Sequence, residues 1–468
     1  MQKLTKQILN ITPFYRQKGI PVRHISALYI TGDKATENYV TLQPYLDFKE
    51  TFQNINELQH SIEKRKMTTD LKKFQEMFVT YKEGFKAKEK LEDERELVAK
   101  QLKELSKVKS KDEDLINQLK EKGKHLRNEL KTMRNNFYPI EDEFTQAFLH
   151  LPNTLHSQCP VGEHERVLYR SQCKLLESNK SHLDNKKLID FVDNSQYYML
   201  KEAAEFDYRC TQAFSSYFLD KCDFIQSANP DFTRCVLLEA NATPMDQYHM
   251  VLEPHLQNKI NTAYLTGGAS FESFLAAVTK LCVYPSVLPL KFVSCGRLYE
   301  ISNTNDPPSL FTATQNNAVQ TFVATTQQTE AEEQMENILN ICVDFYKIFN
   351  IQFRIVYVKA SELTPAECLR AQIEIYSPYE KRYVCVGRVS NYKDFVSKRI
   401  LFTMRQQKDY HFLHLVGGPV LYTSRLIASL IEHGESLDYN KVLDALKTSP
   451  GKKNAPMNPV DDFKLLFK

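Results

Sequence analysis

Apolar residues in the first third of the chain repeat with the period of an α-helix. From about Tyr45 to Phe148 the sequence is dominated by Lys, Glu, Leu and Gln, and no proline occurs before Pro139. Two series of apolar positions each fall on one stripe of a helix. They are Leu71, Phe74, Phe78, Tyr81 and Phe85, and then Leu119, Leu126, Leu130, Met133 and Phe137. The polar segment 106–114 separates them, so we predict two long helices that fold back as an antiparallel coiled coil.

The second half of the chain has a different pattern. Residues 353–358 and 399–404 are rich in β-branched and aromatic side chains, which is typical of strands. Residues 330–349 carry apolar positions at helical spacing and predict a helix. We therefore expect a helical arm followed by an α+β domain.

Composition narrows the possible functions only modestly. The net charge of the 468 residues is +3, and no apolar run is long enough to cross a bilayer, so we expect no membrane partner. The ten cysteines form no CxxC pair and no Cys/His cluster at zinc spacing, so we expect reduced thiols and no metal site. The motifs of common hydrolases and nucleotide-binding folds are missing as well.

Charge is unevenly distributed and favours the arm as a binding surface. Residues 61–140 contain 21 basic and 15 acidic side chains, an excess larger than that of the whole chain. The basic candidates for contact with nucleic acid are Lys103, Lys107, Lys109, Lys111, Lys120, Lys124, Arg127, Lys131 and Arg134. They could follow an RNA backbone, or they could be the solvated surface of an ordinary coiled coil.

The first 32 residues have the composition of a transit peptide. They contain no acidic residue, and basic residues such as Lys3, Arg16 and Arg23 alternate with apolar ones. A basic N-terminus can also arise by chance. We predict import into the mitochondrial matrix.

Four segments in order along the chain resemble the seryl-tRNA synthetase family. Residues 151–156 (LPNTLH) with 160–162 (PVG) resemble the linker after its tRNA-binding arm, and 288–293 (LPLKFV) resembles the strand leading into class II motif 2. Residues 390–399 resemble the segment before motif 3, and 416–432 resemble motif 3 itself. The resemblance implies the class II fold, an antiparallel sheet flanked by helices behind a coiled-coil arm.

Against the family pattern, motif 2 is altered. The family has an arginine followed two residues later by a glutamate, and the ungapped match here retains Arg297 but has Tyr299 in the glutamate position. Glu300 lies one residue farther on, and a strand would point it to the opposite side from Tyr299.

The motif-1 proline of the family is replaced by Leu238, in a segment (232–239) that could be an interface strand or a core strand.

Most other functional positions are also replaced. On the ATP side, Thr312 replaces a second ATP-binding arginine and Cys385 replaces a glutamate. On the serine side, Gln320 replaces the glutamate that binds the serine amine, and Gly268 and Ser270 replace a Thr-x-Glu pair. In motif 3, Gly417 and Pro419 replace an asparagine and a hydroxyl residue, while Arg425 is retained. Losing one such group typically costs a factor of about 10² or more in rate. The resemblance therefore implies a vestigial ATP and serine pocket with no catalytic residue and no cofactor, as in a catalytically degenerate insect mitochondrial branch of this family.

These observations predict four regions and leave three functions open. The regions are a transit peptide (1–32), an N-terminal domain with the arm (33–150), a degenerate class II domain (151–447) and a C-terminal tail (448–468). The chain could be a structural partner that heterodimerises with the active mitochondrial seryl-tRNA synthetase. It could instead be a homodimer that binds mitochondrial tRNA-Ser, other RNA or DNA. Least favoured is an active serine–tRNA ligase with an atypical site.

Overall fold

Two long helices make up most of the N-terminal third. The computed structural model describes residues 26–30, 42–105, 113–251, 262–301 and 307–448. In it the two long helices are α3 (Leu71–Leu105) and α4 (Glu113–Leu149). They pack against each other along the arm, and Phe74, Leu126, Leu130 and Phe137 are buried, as their spacing predicts. The predicted helical arm is therefore confirmed. Of its predicted tip, residues 106–112 lie outside the described residues.

Nine more α-helices and sixteen strands make up most of the remaining regular structure of the described residues. The other helices are α1 (Phe48–Gln53), α2 (Ile55–Lys64), α5 (Lys201–Cys222), α6 (Cys235–Ala240), α7 (Phe271–Val278), α8 (Gln328–Lys347), α9 (Phe395–Ile400), α10 (Thr423–His433) and α11 (Tyr439–Thr448). The strands are β1 (Arg166–Arg170), β2 (Ile189–Phe191), β3 (Tyr197–Met199), β4 (Ile225–Gln226), β5 (Phe232–Arg234), β6 (His249–Val251), β7 (Ala263–Leu265), β8 (Cys282–Val283), β9 (Leu290–Tyr299), β10 (Gln315–Thr325), β11 (Phe353–Tyr357), β12 (Leu369–Ser377), β13 (Arg382–Lys393), β14 (Thr403–Gln406), β15 (Asp409–Phe412) and β16 (His414–Tyr422).

An eight-stranded sheet is the centre of the second domain. Its order is β1-β11-β12-β13-β16-β10-β9-β4, and every pair is antiparallel except β4 with β9. Helices α5, α8 and α10 pack on the sheet and share its main apolar core. A second core joins α7 and α9 to the far ends of β9, β10 and β16. This is the predicted α+β arrangement of an antiparallel sheet flanked by helices.

Two predicted strands are confirmed only in part, at 403–404 and 232–234, for the same physical reason. Residues 395–400 form α9 instead of extending a strand through 399–404, because Val396 and Ile400 are both buried at helical spacing. The helix ends at Leu401, which has a left-handed φ of 59°. Likewise only Phe232–Arg234 of segment 232–239 is a strand, and Leu238 is buried within α6. Tertiary packing outweighs local β propensity in both segments. By contrast, β11 and α8 lie where the sequence predicts them.

Residues 26–30 form part of the folded domain. The Glu239 carboxylate on α6 accepts hydrogen bonds from the Ser26 hydroxyl (2.8 Å) and from the amides of Ala27 (2.9 Å) and Leu28 (2.8 Å). Leu28 is completely buried in the second core, and the Tyr29 hydroxyl lies 3.1 Å from the Glu141 carboxylate on α4. This segment, which we call the N-terminal strap, lies inside the range 1–32 that composition predicts to be a transit peptide.

Two polar side chains, Lys398 and Arg65, connect the base of the arm to the second domain, and aromatic packing joins α1 to α4 within that base. Phe48 of α1 packs on Phe144 of α4 at 5.1 Å between ring centroids. Lys398 of α9 forms ion pairs with Glu50 (3.0 Å) and Asp394 (3.0 Å). The Arg65 guanidinium, directly after α2, donates to the carbonyl oxygens of Thr364 (2.9 Å) and Glu367 (2.5 Å).

Candidate functional site

A polar cavity of about 210 Å³ lies on one face of the large sheet. Strands β9, β10, β12, β13 and β16 and helix α7 contribute to its wall. The charged or amide side chains that line it are Asn241, Gln247, Glu272, Gln320, Glu362, Glu367, Arg370 and Arg388. Such a concentration of buried ionisable groups in a small cavity is typical of a functional site.

The alternation of β9 decides which motif-2 residues reach this cavity. Leu298 lines it, and Glu300, two residues later, extends toward Arg388 on the same side. Arg297 points to the other face, where its guanidinium is close to Tyr197 and to the Asp207 carboxylate of α5. Leu298 and Glu300 therefore share one side of the strand, and Arg297 does not line the cavity.

Glu300 forms an ion pair with arginines from two other elements. Its Oε1 lies 2.5 Å from Nη2 of Arg388 on β13, and its Oε2 lies 3.9 Å from Nη2 of Arg425 on α10. The Tyr422 hydroxyl is 3.5 Å from the same Oε2. Burial by itself would raise the pKa of Glu300, but the two guanidinium groups outweigh it and lower that pKa.

A second carboxylate–arginine pair forms the floor of the cavity. Arg370 Nε donates to Glu367 Oε1 at 2.9 Å and a second guanidinium nitrogen reaches Oε2, so the pair is bidentate. The Ser390 hydroxyl and the Thr364 amide also donate to this carboxylate, at 2.6 and 2.7 Å. Burial would raise the pKa of Glu367, but Arg370 and these donors lower it to about 2. Glu367 is therefore ionised under all physiological conditions.

The third carboxylate, Glu272, has neutral partners. It accepts hydrogen bonds from the Asn241 amide and the Thr243 hydroxyl, both at 3.0 Å. Ser270 caps α7 by accepting from the Ser273 amide at 3.2 Å. The motif comparison placed the Thr-x-Glu pair of the family at Gly268 and Ser270. Two residues later, Ser270 and Glu272 have the same spacing of a hydroxyl residue and a glutamate. That shifted spacing is the sequence signal for Glu272, a cavity residue that the motif comparison missed.

Gln320 and Pro419 face the cavity together. They are paired residues of β10 and β16. Gln320 is fully buried, its amide nitrogen donates to the Thr321 carbonyl (2.9 Å), and its Oε1 has no protein partner among the described residues. Gly417, two residues before Pro419, has a packing reason to lack a side chain, because a Cβ there would lie 2.3 Å from the Thr321 carbonyl oxygen.

The remaining predicted positions lie around the cavity or away from it. Thr312, in a buried 3₁₀ turn, is 3.1 Å from the Ser309 amide and serves that turn. Tyr299 ends β9 opposite Gln315. The Cys385 carbonyl accepts from Arg425 at 3.0 Å, and burial raises the pKa of its thiol. A Cβ on Gly268 would lie 2.7 Å from the Asn229 carbonyl oxygen. The structure therefore brings Gln320, Pro419 and Arg425 to the cavity region, and not Arg297 or Thr312.

The arm carries a separate basic surface. On α4 the residues Lys120, Lys124, Arg127, Lys131 and Arg134 are spaced by four, three, four and three residues, so they form one stripe about 21 Å long. The first four are exposed, and Arg134 pairs with Glu92 of α3 at 2.7 Å. Lys103 lies in the last turn of α3, while Lys107, Lys109 and Lys111 lie outside the described residues. We call the five α4 residues the basic stripe.

Two kinds of feature are absent from the described part of the chain, a cluster of possible metal ligands and a helix suited to span a membrane. Within it, no group of three His, Cys, Asp or Glu side chains could hold a metal ion. No helix in that part combines the length and apolar character needed to cross a bilayer.

Comparison with known proteins points in one direction. The N-terminal domain model of seryl-tRNA synthetases matches residues 45–155. The Drosophila melanogaster protein named serine–tRNA synthetase-like protein Slimp is 57% identical over 449 residues, covering 95% of this chain and 96% of its own. The mitochondrial serine–tRNA ligase of Mus musculus is 23% identical over 443 residues, covering 88% and 84%.

Solved structures share the same fold. The seryl-tRNA synthetase of Pyrococcus horikoshii complexed with ATP superposes with a TM-score of 0.72 at 18% identity, over 87% of this chain and all of that one. The cytoplasmic serine–tRNA ligase of Naegleria fowleri in complex with AMP gives 0.69 at 16% identity, over 88% and 98%. The expectation of the class II synthetase fold is confirmed.

Proposed function

The chain belongs to the seryl-tRNA synthetase family, and from that premise we propose that it is a mitochondrial member that no longer activates serine and acts as a binding partner. Its similarity to a protein named synthetase-like supports a paralogue of the ligases. The proposal adds two points to that relationship, the loss of catalysis and the nature of the partner.

The proposed loss of catalysis is supported mainly by one observation: the arginines beside the cavity are already paired with carboxylates of the protein. Activation of an amino acid by ATP needs cationic groups that are free to bind phosphate as charge shifts in the transition state. Here Arg388 and Arg425 share the Glu300 carboxylate, and Arg370 is bound bidentately by Glu367. Leu298 occupies the cavity-facing position of β9, and Arg297 points away. These residues do not fit the phosphates of ATP.

Serine-dependent exchange of labelled pyrophosphate into ATP tests this directly. We expect no exchange above the rate without serine, whereas an active mitochondrial seryl-tRNA synthetase assayed beside it should give a clear signal. Exchange by the purified chain that depends on serine would identify it as a ligase with an atypical site and would overturn the proposal.

The proposed partner is the active mitochondrial seryl-tRNA synthetase. Support comes from the intact family scaffold and from the similarity to mitochondrial ligases. In addition, large apolar side chains are exposed on the β2–β3 hairpin and the start of α5, at Val192, Tyr198, Leu200 and Tyr208. Exposed apolar side chains grouped on neighbouring elements are typical of protein interfaces.

Co-expression of the two chains followed by mass determination tests the heterodimer. We expect a one-to-one complex that Tyr198→Arg weakens, because Tyr198 is 59% exposed in the proposed interface. Tyr410→Arg is the matched control, since Tyr410 is 61% exposed on β15, far along the chain from the hairpin. Separate homodimers of the two wild-type chains would contradict the proposal.

The basic stripe favours an alternative, a homodimer that binds mitochondrial RNA or DNA. Phosphate contacts make binding depend on salt, with a slope of about 0.7 per contact for single strands. Replacing Lys120, Lys124, Arg127 and Lys131 by glutamine should therefore lower the slope by about 3. The same number of lysine-to-glutamine changes on α3, at Lys72, Lys73, Lys82 and Lys86, is the control. Equal slopes for both variants would exclude the stripe as the RNA contact.

Mitochondrial import is part of the proposal and fits the acid-free N-terminus. The N-terminal strap limits where a removed leader can end, because residues 26–30 contact Glu239 and the second core. We expect the mature protein isolated from mitochondria to begin at or before Ser26. A mature N-terminus after Ile30 would contradict this expectation.

A further inference from the structure

A groove of about 900 Å³ runs between helix α8 and one edge of the large sheet. Leu168 and Tyr169 of β1 and Tyr357 of β11 line its sheet side. Because β1 is the outer strand at that end of the sheet, one of its edges is not paired with another described strand. Leu168 is 37% exposed. The groove therefore offers apolar side chains and a strand edge to an extended peptide.

The α8 side of the same groove is acidic. Five exposed residues at spacings of three and four form one stripe of this helix, and they are Glu333, Glu336, Asn340, Asp344 and Lys347. Lys347 lies 3.8 Å from Asp344, whereas Glu333 and Glu336 form no ion pair with any described residue. These two carboxylates are therefore open to a cationic segment.

Helix α11 brings the end of the described chain to one end of this groove. Its residues Leu446 and Thr448 lie with Asp344 and Lys347 of α8 around a smaller cavity of about 300 Å³. Asp344 and Lys347 line both cavities, so the two are adjacent. Leu446 is buried, which holds the end of α11 in this place.

The sequence that follows Thr448 has the charge and the apolar character that the groove lacks. Residues 449–468, which we call the tail segment, lie outside the described residues. They contain four lysines and two aspartates, a net charge of +2, together with the apolar residues Phe463, Leu465, Leu466 and Phe467. A segment with this composition complements an acidic helix face next to exposed apolar side chains.

Distances along the groove also agree with the spacing of the lysines. Measured along α8 from Asp344, Glu336 is about 12 Å away and Glu333 about 17 Å. Lys452 and Lys453, four and five residues after Thr448, can reach about 13 and 17 Å in an extended chain. The whole tail segment can span roughly 60 Å, which is more than enough to reach β1.

We propose that the tail segment docks in this groove of its own chain and runs antiparallel to α8. Lys452 and Lys453 then pair with Glu336 and Glu333, and residues 463–467 cover Leu168 on β1. The groove is thus a recognition surface for a basic and apolar peptide, and the chain carries its own ligand for it. This inference depends neither on the loss of catalysis nor on the heterodimer.

Phe467→Trp provides the probe, because the natural sequence contains no tryptophan. Indole emission moves to shorter wavelength, and quenching by acrylamide falls, when the ring leaves water. We expect the full-length F467W chain to show both changes relative to the same chain in denaturant. Emission of a fully hydrated indole in the folded protein would overturn the proposal and leave the groove to a segment of another chain.

Charge reversal on α8 tests the docking site itself. Two exposed ion pairs change the ratio of docked to free tail segment by roughly ten-fold. We therefore expect Glu333→Lys with Glu336→Lys in the F467W chain to move the emission toward that of hydrated indole. Glu83→Lys with Glu89→Lys is the matched control, because these exposed arm residues change the net charge equally. An equal effect of both pairs would contradict the proposal.

A charge swap shows whether the lysines are the direct partners. Lys452→Glu with Lys453→Glu should release the tail segment alone and should restore docking when combined with E333K and E336K. Circular dichroism checks folding, and K452E with K453E tests the same contact if the α8 variant does not fold. Failure of the folded swap variant to restore the emission would overturn the pairing. Emission that returns to hydrated indole on dilution would instead place the tail segment in a second copy and overturn docking within one chain.

Discussion

Leu28→Ala is the sharpest test of whether the N-terminal strap belongs to the folded domain. Leu28 is 0% exposed and packs in the second core with residues of α6, α7 and α9. Its amide donates to Glu239, and the alanine variant keeps that hydrogen bond while it removes the apolar side chain. The change therefore measures burial alone.

The size of the effect follows from the complete burial of this side chain. Leu→Ala changes in a packed core cost about 2–5 kcal/mol, and about 3 kcal/mol is a central value. For a domain of roughly 300 residues, the unfolding entropy converts this loss into a melting temperature lower by about 5 °C. Both figures describe the unfolding of the class II domain and not of the arm.

Thermal and urea unfolding of the full chain provide the assay. Leu175→Ala is the matched control, because Leu175 is 58% exposed and its truncation should change the free energy of unfolding by less than about 0.5 kcal/mol. If L28A unfolds like L175A, the strap is not part of the core, and the argument about the mature N-terminus fails with it.

Three further substitutions test the packing of the arm and the charge of Glu367. The two glycine substitutions should change the stability of the arm in opposite directions, and the effect of Glu367→Gln on stability should depend on pH. Gly123→Ala on α4 should stabilise the arm by up to about 1 kcal/mol, since the nearest atom to the new Cβ is 3.9 Å away, on Val98. Gly84→Ala on α3 should destabilise it despite the same gain in helix propensity, because its Cβ would lie 2.5 Å from Phe137. Thermal unfolding followed by circular dichroism compares the two, and an equal response would contradict the packing argument. Glu367→Gln should be less stable than the wild type at pH 7 by roughly 3 kcal/mol. Since the folded pKa of Glu367 is lowered from 4.5 to about 2, the wild-type advantage should be complete above pH 4.5 and disappear as the pH falls toward 2. Urea unfolding at pH 7 and pH 3 measures this, and a constant difference would refute the assignment.

The sequence was most informative where periodicity and burial agree over a long segment. The stripes through Phe74 and through Leu126, Leu130 and Phe137 predicted the two arm helices because each apolar face meets the other. Residues 399–404 were harder, because their β propensity conflicts with the burial of Val396 and Ile400 on one helix face. Short segments follow their tertiary neighbours more than their own composition.

The candidate site depended on register, which a motif comparison does not fix. The ungapped match placed Arg297 in the vestigial ATP and serine pocket, yet β9 turns that side chain to the other face of the sheet and directs Glu300 to Arg388. Glu272 was missed because the spacing of its motif is shifted by two residues. A one-residue change of register reverses the face of every side chain on a strand.

Arg65 gives the arm a mechanical connection to the cavity. It attaches the end of α2 to the loop carrying Thr364 and Glu367, and Glu367 in turn orients Arg370. The arm helix α3 is about 52 Å long, so a small tilt at its base becomes a displacement of many ångströms at its far end. A macromolecule pulling on the arm would therefore apply force to the cavity wall through the Arg65 guanidinium, alongside the Lys398–Glu50 ion pair at the same base. A ligand that stiffened that wall would restrict the directions in which the arm can move.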